Sequence, residues 1–150
     1  MNSLEIIGKL PYGKGFKFVD EILKIDENGV LGTFTFHQDL AFYSSHFENM
    51  PITPGVILTE TMAQIGLVCL GIFLLKDNPK INETTFAMSS NSVDFLKPVY
   101  PGEKVWVKSE KIYFRFNKLS CRVAMENSIG EMLCKGIISG MLISNLYDQQ

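Results

Sequence analysis

An almost uninterrupted apolar run, GVILTETMAQIGLVCLGIFLL, extends from Gly55 to about Leu75 and predicts a helix that is buried on nearly every side. Just before it, Thr53 is a candidate N-cap, and Pro54 suits the first helical position, where a missing N–H has no cost. The longest stretch without a polar residue, IGLVCLGIFLL, is shorter than the ~20 residues that a membrane span requires. We therefore expect a core helix and no membrane insertion.

The rest of the chain has the pattern of strands joined by short turns. Upstream of the helix, FKFVDEILKID and VLGTFTFHQ flank the turn ENG and predict a β-hairpin. Downstream, four more strand-like segments follow, at residues 85–99, 104–116, 120–126 and 132–144. An antiparallel sheet wrapped around one long helix fits this order. We therefore predict an α+β fold in a single domain that covers residues 1–150.

Composition limits the classes of function. The formal net charge of -2 at pH 7 argues against nucleic-acid binding by bulk electrostatics. Cys69, Cys121 and Cys134 are odd in number and form no CxxC motif, which favours buried thiols in a reducing compartment over disulfides or a zinc site. The N-terminal MNSLEIIGKLPYGKG lacks the apolar core of a signal peptide, so we expect a cytoplasmic protein.

Positive charge is concentrated in the second half of the chain. In this half, basic side chains outnumber acidic ones over one long stretch: Lys97, Lys104, Lys108, Lys111, Arg115, Lys118, Arg122 and Lys135. Two interpretations stay open. These residues form either a solvated sheet face or a docking surface for an acidic partner.

Two ionisable residues stand on either side of the helix start. Glu60 lies inside the apolar run, where a charge is costly unless it is paired or neutralised. Three interpretations of Glu60 stay open. It lies on an exposed stripe of the helix, it pairs with Gln64 on the same helix face for structural reasons, or it acts as a functional acid. His46, fourteen residues before Glu60, is either a solvated loop residue or a base near neutral pH. The other histidine, His37, falls on the polar face of a strand, and we interpret it as structural.

Taken together, these residues indicate acid–base chemistry. A neutral imidazole at His46 can take a proton, and a carboxyl group at Glu60 in an apolar pocket can stay protonated and donate one. Between them, Pro54 and Gly55 open the helix, whose first backbone N–H groups can hold a developing oxyanion. The sequence has no phosphate-binding glycine loop and no metal-ligand cluster. This set of groups suits β-elimination of water from a 3-hydroxyacyl compound.

At these residues the sequence resembles the 3-hydroxyacyl-acyl carrier protein dehydratases of type II fatty acid synthesis, the FabZ family, which have the hot-dog fold. The shared motifs are HF at His46–Phe47, then Pro51, PGVILTETMAQ and FLKPVYPGEKVWV. The fourteen-residue step from His46 to Glu60 is the family's spacing. The resemblance runs from LPYGKGFKFVDEI to the last strand and so covers most of the chain. With it we expect no cofactor and no metal.

The resemblance also implies roles for individual residues. It makes His46 the catalytic base, Glu60 the acid, and the Gly55 amide the group that polarises the thioester carbonyl. Four neighbouring residues are expected to contact the substrate: Phe47, Pro54, Val56 and Gln64. A glutamate at this helix position is similar to FabZ, whereas the related dehydratase–isomerases of the FabA type carry aspartate there. Isomerase activity is therefore not expected.

The resemblance further implies two kinds of partner. One is acyl carrier protein that carries the 3-hydroxyacyl chain. The other is a second copy of the chain, because the family forms homodimers that often assemble as trimers of dimers. In the implied dimer, His46 of one subunit faces Glu60 of the partner subunit across an interfacial tunnel for the acyl chain. Four aromatic residues either line that tunnel or belong to the core: Phe42, Phe47, Phe86 and Phe95.

Several positions depart from the family pattern. Ser45, Glu48 and Asn49 alter the GHFPGxP motif, and Tyr12 and Gly15 replace a histidine and a proline near the N-terminus. Because these changes border the expected site, they leave open the acyl chain length, the carrier protein and the pathway, which includes a polyketide or polyene pathway. Two other functions also stay open. One is a hot-dog thioesterase with a carboxylate-activated water, and the other is a non-catalytic acyl-binding or scaffold dimer.

Overall fold

The computed structural model describes residues 1–144 of the 150-residue chain. Helix α1 spans Ser3–Gly8, and the central helix spans Gly55–Leu74. The strands are β1 (Glu21–Asp26), β2 (Gly29–Thr35), β3 (Thr84–Phe95), β4 (Lys104–Arg115), β5 (Lys118–Glu126) and β6 (Met132–Ser144). Short 3-10 turns cover Lys14–Phe16, Ala41–Ser44 and Ile81–Glu83. The predicted single domain also includes residues 145–150, which lie outside the described residues, so its extent stays a prediction.

The strands form one antiparallel sheet in the order β1-β2-β4-β5-β6-β3. The predicted β1–β2 hairpin is present, and the Asp26 carboxylate accepts hydrogen bonds from the N–H groups of Asn28 and Gly29 in its turn. β3 follows the central helix directly, yet it pairs with β6 at the opposite end of the sheet from β1. The central helix therefore crosses one face of the sheet. This arrangement confirms the predicted α+β fold.

The central helix packs closely against the strands it crosses. Gly66 lies so near the sheet that an added Cβ would stand 2.8 Å from Cγ1 of Val123. The buried hydroxyl of Ser109 in β4 donates to the carbonyl of Gly66 over 2.8 Å, so both polar groups are satisfied inside the core. Around this contact the helix is π-helical over Gln64–Cys69, with α-helical segments on either side.

By length and composition the central helix is apolar enough to cross a membrane, with a mean hydropathy of 1.8, but 78% of that stretch is buried inside the fold. Met62, Ile65 and Leu70 are among its fully buried side chains. A core helix and a membrane span share this composition. Its burial under the sheet favours the core helix that the sequence predicts. The three cysteines are also buried and free, as expected.

The first strand is shorter than predicted. It begins at Glu21 rather than at Phe16. The preceding backbone is bonded to a side chain instead of a neighbouring strand: the N–H of Phe18 donates to Oε1 of Gln64, and Nε2 of Gln64 donates to the carbonyl of Phe16. The amide of one helix residue thus takes the hydrogen bonds that would otherwise extend the strand.

The predicted helix cap is also wrong. Pro54, and not Thr53, occupies the N-cap position, and no side chain of residues 1–144 caps the helix. The Thr53 hydroxyl is instead paired with the hydroxyl of Tyr43 at 2.5 Å, and both residues are buried. Because this pairing turns the Thr53 hydroxyl away from the helix, the first backbone amides of the helix keep their hydrogen-bonding capacity.

Candidate active site

His46 lies in a loop whose backbone is held by hydrogen bonds. Its N–H donates to the carbonyl of Phe42 over 3.0 Å, and its carbonyl accepts from the N–H of Ile52 over 2.9 Å. The peptide bond between His46 and Phe47 is cis. Phe47 and Met50 exchange two backbone hydrogen bonds, of 3.0 and 3.1 Å, across a tight turn. These four hydrogen bonds give the imidazole a fixed support.

A fifth hydrogen bond orients the imidazole ring itself. Nδ1 of His46 lies 3.0 Å from the carbonyl oxygen of Ile52. Because a carbonyl oxygen only accepts, Nδ1 carries the proton of the neutral ring and Nε2 keeps its lone pair. The ring of Phe47 stacks on the imidazole, with 4.0 Å between the ring centroids. His46 therefore presents an Nε2 that is able to accept a proton.

The central helix begins beside this loop with backbone donors that are not used by the helix. The carbonyl of Pro54 accepts from the N–H of Ile57 over 2.9 Å. Within the described part of the chain, the N–H groups of Gly55 and Val56 have no protein acceptor. Such groups carry the positive end of the helix dipole. They can therefore stabilise negative charge that develops on a bound carbonyl oxygen.

A groove of about 310 Å³ opens at this helix start. Phe95 forms one wall, and it lies so close that a Cβ on Gly55 would stand 3.2 Å from its Cζ. A side chain at position 55 would press against this ring, so the glycine keeps the amide accessible. The rest of the wall comes from Ile52, Thr53, Leu58, Leu96, Lys97 and Pro98. The groove has space for a thioester group next to the Gly55 amide.

Glu60 lies half-buried on the helix, and among residues 1–144 its carboxyl group has one hydrogen-bond partner. Nε2 of Gln64 donates to Oε2 of Glu60 over 3.0 Å. Burial raises the pKa of the Glu60 carboxyl group, and the hydrogen bond from Gln64 opposes this rise with a smaller effect. The neutral, proton-donating form of Glu60 is therefore favoured more than in a solvent-exposed glutamate.

Gln64 is itself fixed by the N-terminal segment. Its amide donates to the carbonyl of Phe16 over 2.9 Å and accepts from the N–H of Phe18 over 2.7 Å. The residue is fully buried. Its expected contact with substrate stays a prediction. The structure gives it a further role, because it anchors the carboxyl group of Glu60.

Tyr12, which stands where the family has a histidine, lies within electrostatic range of the acid. Burial raises the pKa of the Tyr12 phenol, and the negative charge of Glu60 raises it further. The phenol therefore stays protonated and is a potential hydrogen-bond donor near Glu60. In the sequence it is marked only by its departure from the family pattern.

In the described part of the chain, the two candidate acid–base residues are not bonded to each other. Over residues 1–144, His46 and Glu60 share neither a hydrogen bond nor an ion pair. Five large apolar side chains near the helix start are exposed: Phe47, Met50, Val56, Phe95 and Leu96. Val56 reaches 76% exposure. Exposed apolar side chains in such number are typical of a surface that binds a ligand or another protein.

Sequence analysis did not single out two residues that support the site. Ile52 supplies the carbonyl that orients the imidazole, and Tyr43 pairs with Thr53 to fix the connection between the loop and the helix. A backbone carbonyl leaves no trace in residue identity, and Tyr43 is only one aromatic residue among several in this loop. Among the described residues, no group of three or more His, Cys, Asp and Glu side chains is placed to hold a metal ion.

Known proteins are similar in sequence to this chain over most of its length. A model of the FabA-like domain matches residues 10–133. The chain is 31% identical over 144 residues to the 3-hydroxyacyl-[acyl-carrier-protein] dehydratase FabZ of Rhizobium etli, over 93% of this chain and 88% of that protein. It is 30% identical over 136 residues to the FabZ of Caldicellulosiruptor bescii, over 90% of this chain and 94% of that protein.

Solved structures share the fold at much lower identity. A Streptococcus mutans protein bound to acetyl-CoA superposes with a TM-score of 0.65 at 12% identity, over 90% of this chain and 96% of that chain. A hypothetical thioesterase of Streptococcus pneumoniae, solved with coenzyme A, gives 0.60 at 17% identity, over 83% and 85% of the two chains. At these identities the likeness concerns the fold alone. It confirms the predicted hot-dog fold.

Proposed function

Because this chain belongs to the FabA-like family, which includes the FabZ dehydratases that it resembles, we propose that it converts 3-hydroxyacyl-acyl carrier protein to the trans-2-enoyl form in fatty acid or related polyketide or polyene synthesis. One observation carries the chemistry. His46 presents a proton-accepting Nε2, and burial raises the pKa of the Glu60 carboxyl group. The environments of the two groups assign one as base and the other as acid.

The reaction follows from these assignments. The thioester carbonyl lies against the Gly55 N–H, which stabilises negative charge on its oxygen. Nε2 of His46 takes a proton from the carbon next to the carbonyl, and the electrons of that C–H bond form the new double bond. The bond from the next carbon to its hydroxyl breaks, and Glu60 protonates the leaving oxygen to give water. The cycle closes when the proton on His46 is returned to Glu60.

The catalytic form is a homodimer in this proposal. β3 stands at the end of the sheet, and over residues 1–144 its outer edge pairs with no strand. Its segment Thr84–Val93 carries no charged residue, although charges are what usually keep an edge strand from pairing. Phe95 at the end of β3 contacts Gly55, so the edge leads directly to the helix start. A second copy on this surface covers the exposed apolar side chains and brings His46 to Glu60 of the partner subunit.

A mixture of two inactive variants tests this shared site. We expect His46→Ala and Glu60→Ala each to lose turnover, and the mixture, after unfolding and refolding together, to regain about a quarter of the wild-type activity, because half of the dimers then hold one intact site of two. The measurement is enoyl formation per total protein. If refolded mixtures stay as inactive as the separate variants while size-exclusion chromatography shows dimers, each site lies within one subunit.

One assay separates the dehydratase from the two other functions. The purified protein is given a 3-hydroxyacyl chain on acyl carrier protein, and enoyl absorbance and free thiol are followed together. We expect enoyl product with no thiol release. Thiol release without enoyl product supports a thioesterase, for which His46 has no evident task. Binding without either product supports a non-catalytic acyl-binding or scaffold dimer.

The surface that docks acyl carrier protein and the cytoplasmic location of this protein are also proposals. Three members of the basic stretch form ion pairs with carboxylates: Lys97 with Glu131, Lys104 with Glu21, and Arg122 with Glu110. These pairs reduce the positive charge available to an acidic carrier protein, so the docking surface rests on the remaining basic side chains.

A cytoplasmic location agrees with the burial of the central helix and the three thiols. Assembly into a trimer of dimers follows from the resemblance alone.

A further inference from the structure

The peptide group between Ile52 and Thr53 is bonded at both ends. Its carbonyl oxygen, which belongs to Ile52, accepts a hydrogen bond from Nδ1 of His46 over 3.0 Å. Its N–H, which belongs to Thr53, donates to the carbonyl of Val99 over 2.8 Å. A peptide group is rigid and planar, so a bond that orients its N–H also orients its carbonyl. The direction of the carbonyl that holds the imidazole therefore depends on how Thr53 is held.

Thr53 is also held through its side chain. Its hydroxyl lies 2.5 Å from the hydroxyl of Tyr43, and only 4% of Thr53 and 5% of Tyr43 are exposed. Burial raises the pKa of the Tyr43 phenol, the hydrogen bond with Thr53 opposes this rise, and the negative charge of Glu103 adds to it. The phenol therefore stays protonated, and the bond joins two neutral hydroxyls. Because both residues are buried, water does not compete for this bond.

The bond between Tyr43 and Thr53 joins the two sides of the loop that carries His46. Tyr43 lies before His46 in the chain, and Thr53 directly follows Ile52. Between them, the N–H of Ile52 donates to the carbonyl of His46 over 2.9 Å, so these two residues are joined through the backbone as well as through the ring. The hydroxyl pair is a third link across the same loop, and it does not involve the imidazole. It can therefore hold the Ile52 carbonyl in place before the ring takes up its position.

We propose that Tyr43 is a positioning residue, which acts through Thr53 to keep the Ile52 carbonyl on Nδ1 of His46 and so leaves Nε2 free to take the substrate proton. The inference rests on the proposed function and adds to it a residue that acts only through others. The hydrogen bond made by one ring nitrogen of a neutral imidazole sets which nitrogen carries the proton. Once the carbonyl turns away, the proton is no longer confined to Nδ1. A ring with its proton on Nε2 cannot act as the base.

Removal of the two hydroxyls, one at a time and together, tests this role. Tyr43→Phe and Thr53→Val each leave a buried hydroxyl without its partner, which destabilises the fold, whereas the double variant removes both and should melt close to the wild type. We expect all three variants to lower kcat by about tenfold to a hundredfold, because a displaced catalytic group has an effect of this size, and to keep KM within about twofold. The double variant separates positioning from stability, since it should regain the melting temperature but not kcat.

The tautomer of His46 gives a readout that does not depend on activity. Nitrogen NMR of the histidine rings, with the His46 signals assigned by their loss in His46→Ala, reports which ring nitrogen carries the proton. We expect the proton on Nδ1 in the wild type, and a substantial fraction of it on Nε2 in all three variants. A purely structural role for the hydroxyl pair would leave this distribution unchanged.

Thr53→Ser and Tyr113→Phe are the matched controls. Serine keeps the hydroxyl, and Tyr113 is a tyrosine of β4 whose ring lies under the guanidinium of Arg115, outside the His46 loop. Both controls should keep the wild-type kcat and tautomer. The proposal is overturned if the double variant regains the wild-type kcat together with its stability, or if His46 keeps its proton on Nδ1 in the three variants. If the wild type gives no enoyl product, the proposed function fails, and the tautomer of His46 still decides whether Tyr43 positions the ring.

Discussion

Replacement of His46 by alanine is expected to lower kcat for 3-hydroxyacyl-acyl carrier protein by about a hundredfold to ten-thousandfold, the usual contribution of a general base. The ring is oriented so that Nδ1 donates to the carbonyl of Ile52 and Nε2 remains the proton acceptor. Because the ring is already aligned for proton transfer, it supplies the full contribution of a general base. Alanine removes this contribution. The measurement is steady-state enoyl formation at saturating substrate.

His37→Ala is the matched control, because His37 is the other histidine of the chain and is exposed after β2. It should retain the wild-type kcat. Circular dichroism and thermal unfolding should show that His46→Ala keeps its fold, since the four backbone hydrogen bonds of its loop do not involve the ring. A folded His46→Ala protein that keeps more than about a tenth of the wild-type kcat would show that another group is the base.

Replacement of Glu60 by glutamine is expected to lower kcat by a similar factor and at the same time to stabilise the protein at neutral pH. Glutamine keeps the shape and can still accept the hydrogen bond from Gln64, but it has no proton to give to the leaving oxygen. The loss is therefore one of chemistry rather than of binding. Enoyl formation and substrate KM are measured together, and we expect kcat to fall while KM changes little.

The gain in stability follows from the raised pKa of Glu60 in the folded state. Above the ordinary glutamate pKa, the unfolded chain releases this proton more readily than the folded one does, so the free energy of unfolding falls as pH rises through the folded pKa. The Glu60→Gln variant has no ionisable group at this position, so its free energy of unfolding does not undergo this fall. Its melting temperature should exceed that of the wild type at pH 7.5, and the difference should shrink at pH 4, where both states keep the proton.

Glu48→Gln is the control for this experiment, because Glu48 is an exposed carboxylate in the His46 loop. It should keep the wild-type melting temperature at pH 7.5. A Glu60→Gln protein that is less stable than the wild type at pH 7.5 would mean that the ionised carboxylate is favoured by the fold. An unchanged kcat would remove Glu60 from the role of acid.

Much of the fold is visible in the sequence because its elements are marked locally. The turns predicted at YPGE and NSIGE contain Gly102 and Gly130, which adopt φ values of 90° and 80°. The strands between such turns begin and end within a few residues of the predictions. Three segments predicted as strand lie outside one: residues 36–38, so that the predicted strand position of His37 is wrong, residues 96–99 and residues 16–20. The last of these is explained by a distant contact. Its backbone is bonded to Gln64, 46 and 48 residues away, and no local pattern signals a contact of that range.

The residue types of the candidate site and their spacing can be predicted from the sequence. Their positions in three dimensions cannot. His46, Gly55 and Glu60 are found because a histidine, a helix start and a misplaced carboxylate coincide in one short segment. The carbonyl of Ile52 could not be found, since every residue has one. The pairing of His46 with Glu60 of a second copy is implied by the family resemblance and not by the residues themselves, and it stays a prediction. The spacing of residues along a chain does not say which copy supplies them.

The anchoring of Gln64 has a consequence for how such a protein adapts. Through one N–H group this residue lowers the pKa of Glu60, against the larger effect of burial, and its own position is fixed by the backbone of Phe16 and Phe18. A change in the N-terminal segment that shifts this backbone therefore alters the proton affinity of Glu60 without touching the substrate. Substitutions in residues 16–18 can therefore change the pH dependence of the reaction without altering His46 or Glu60.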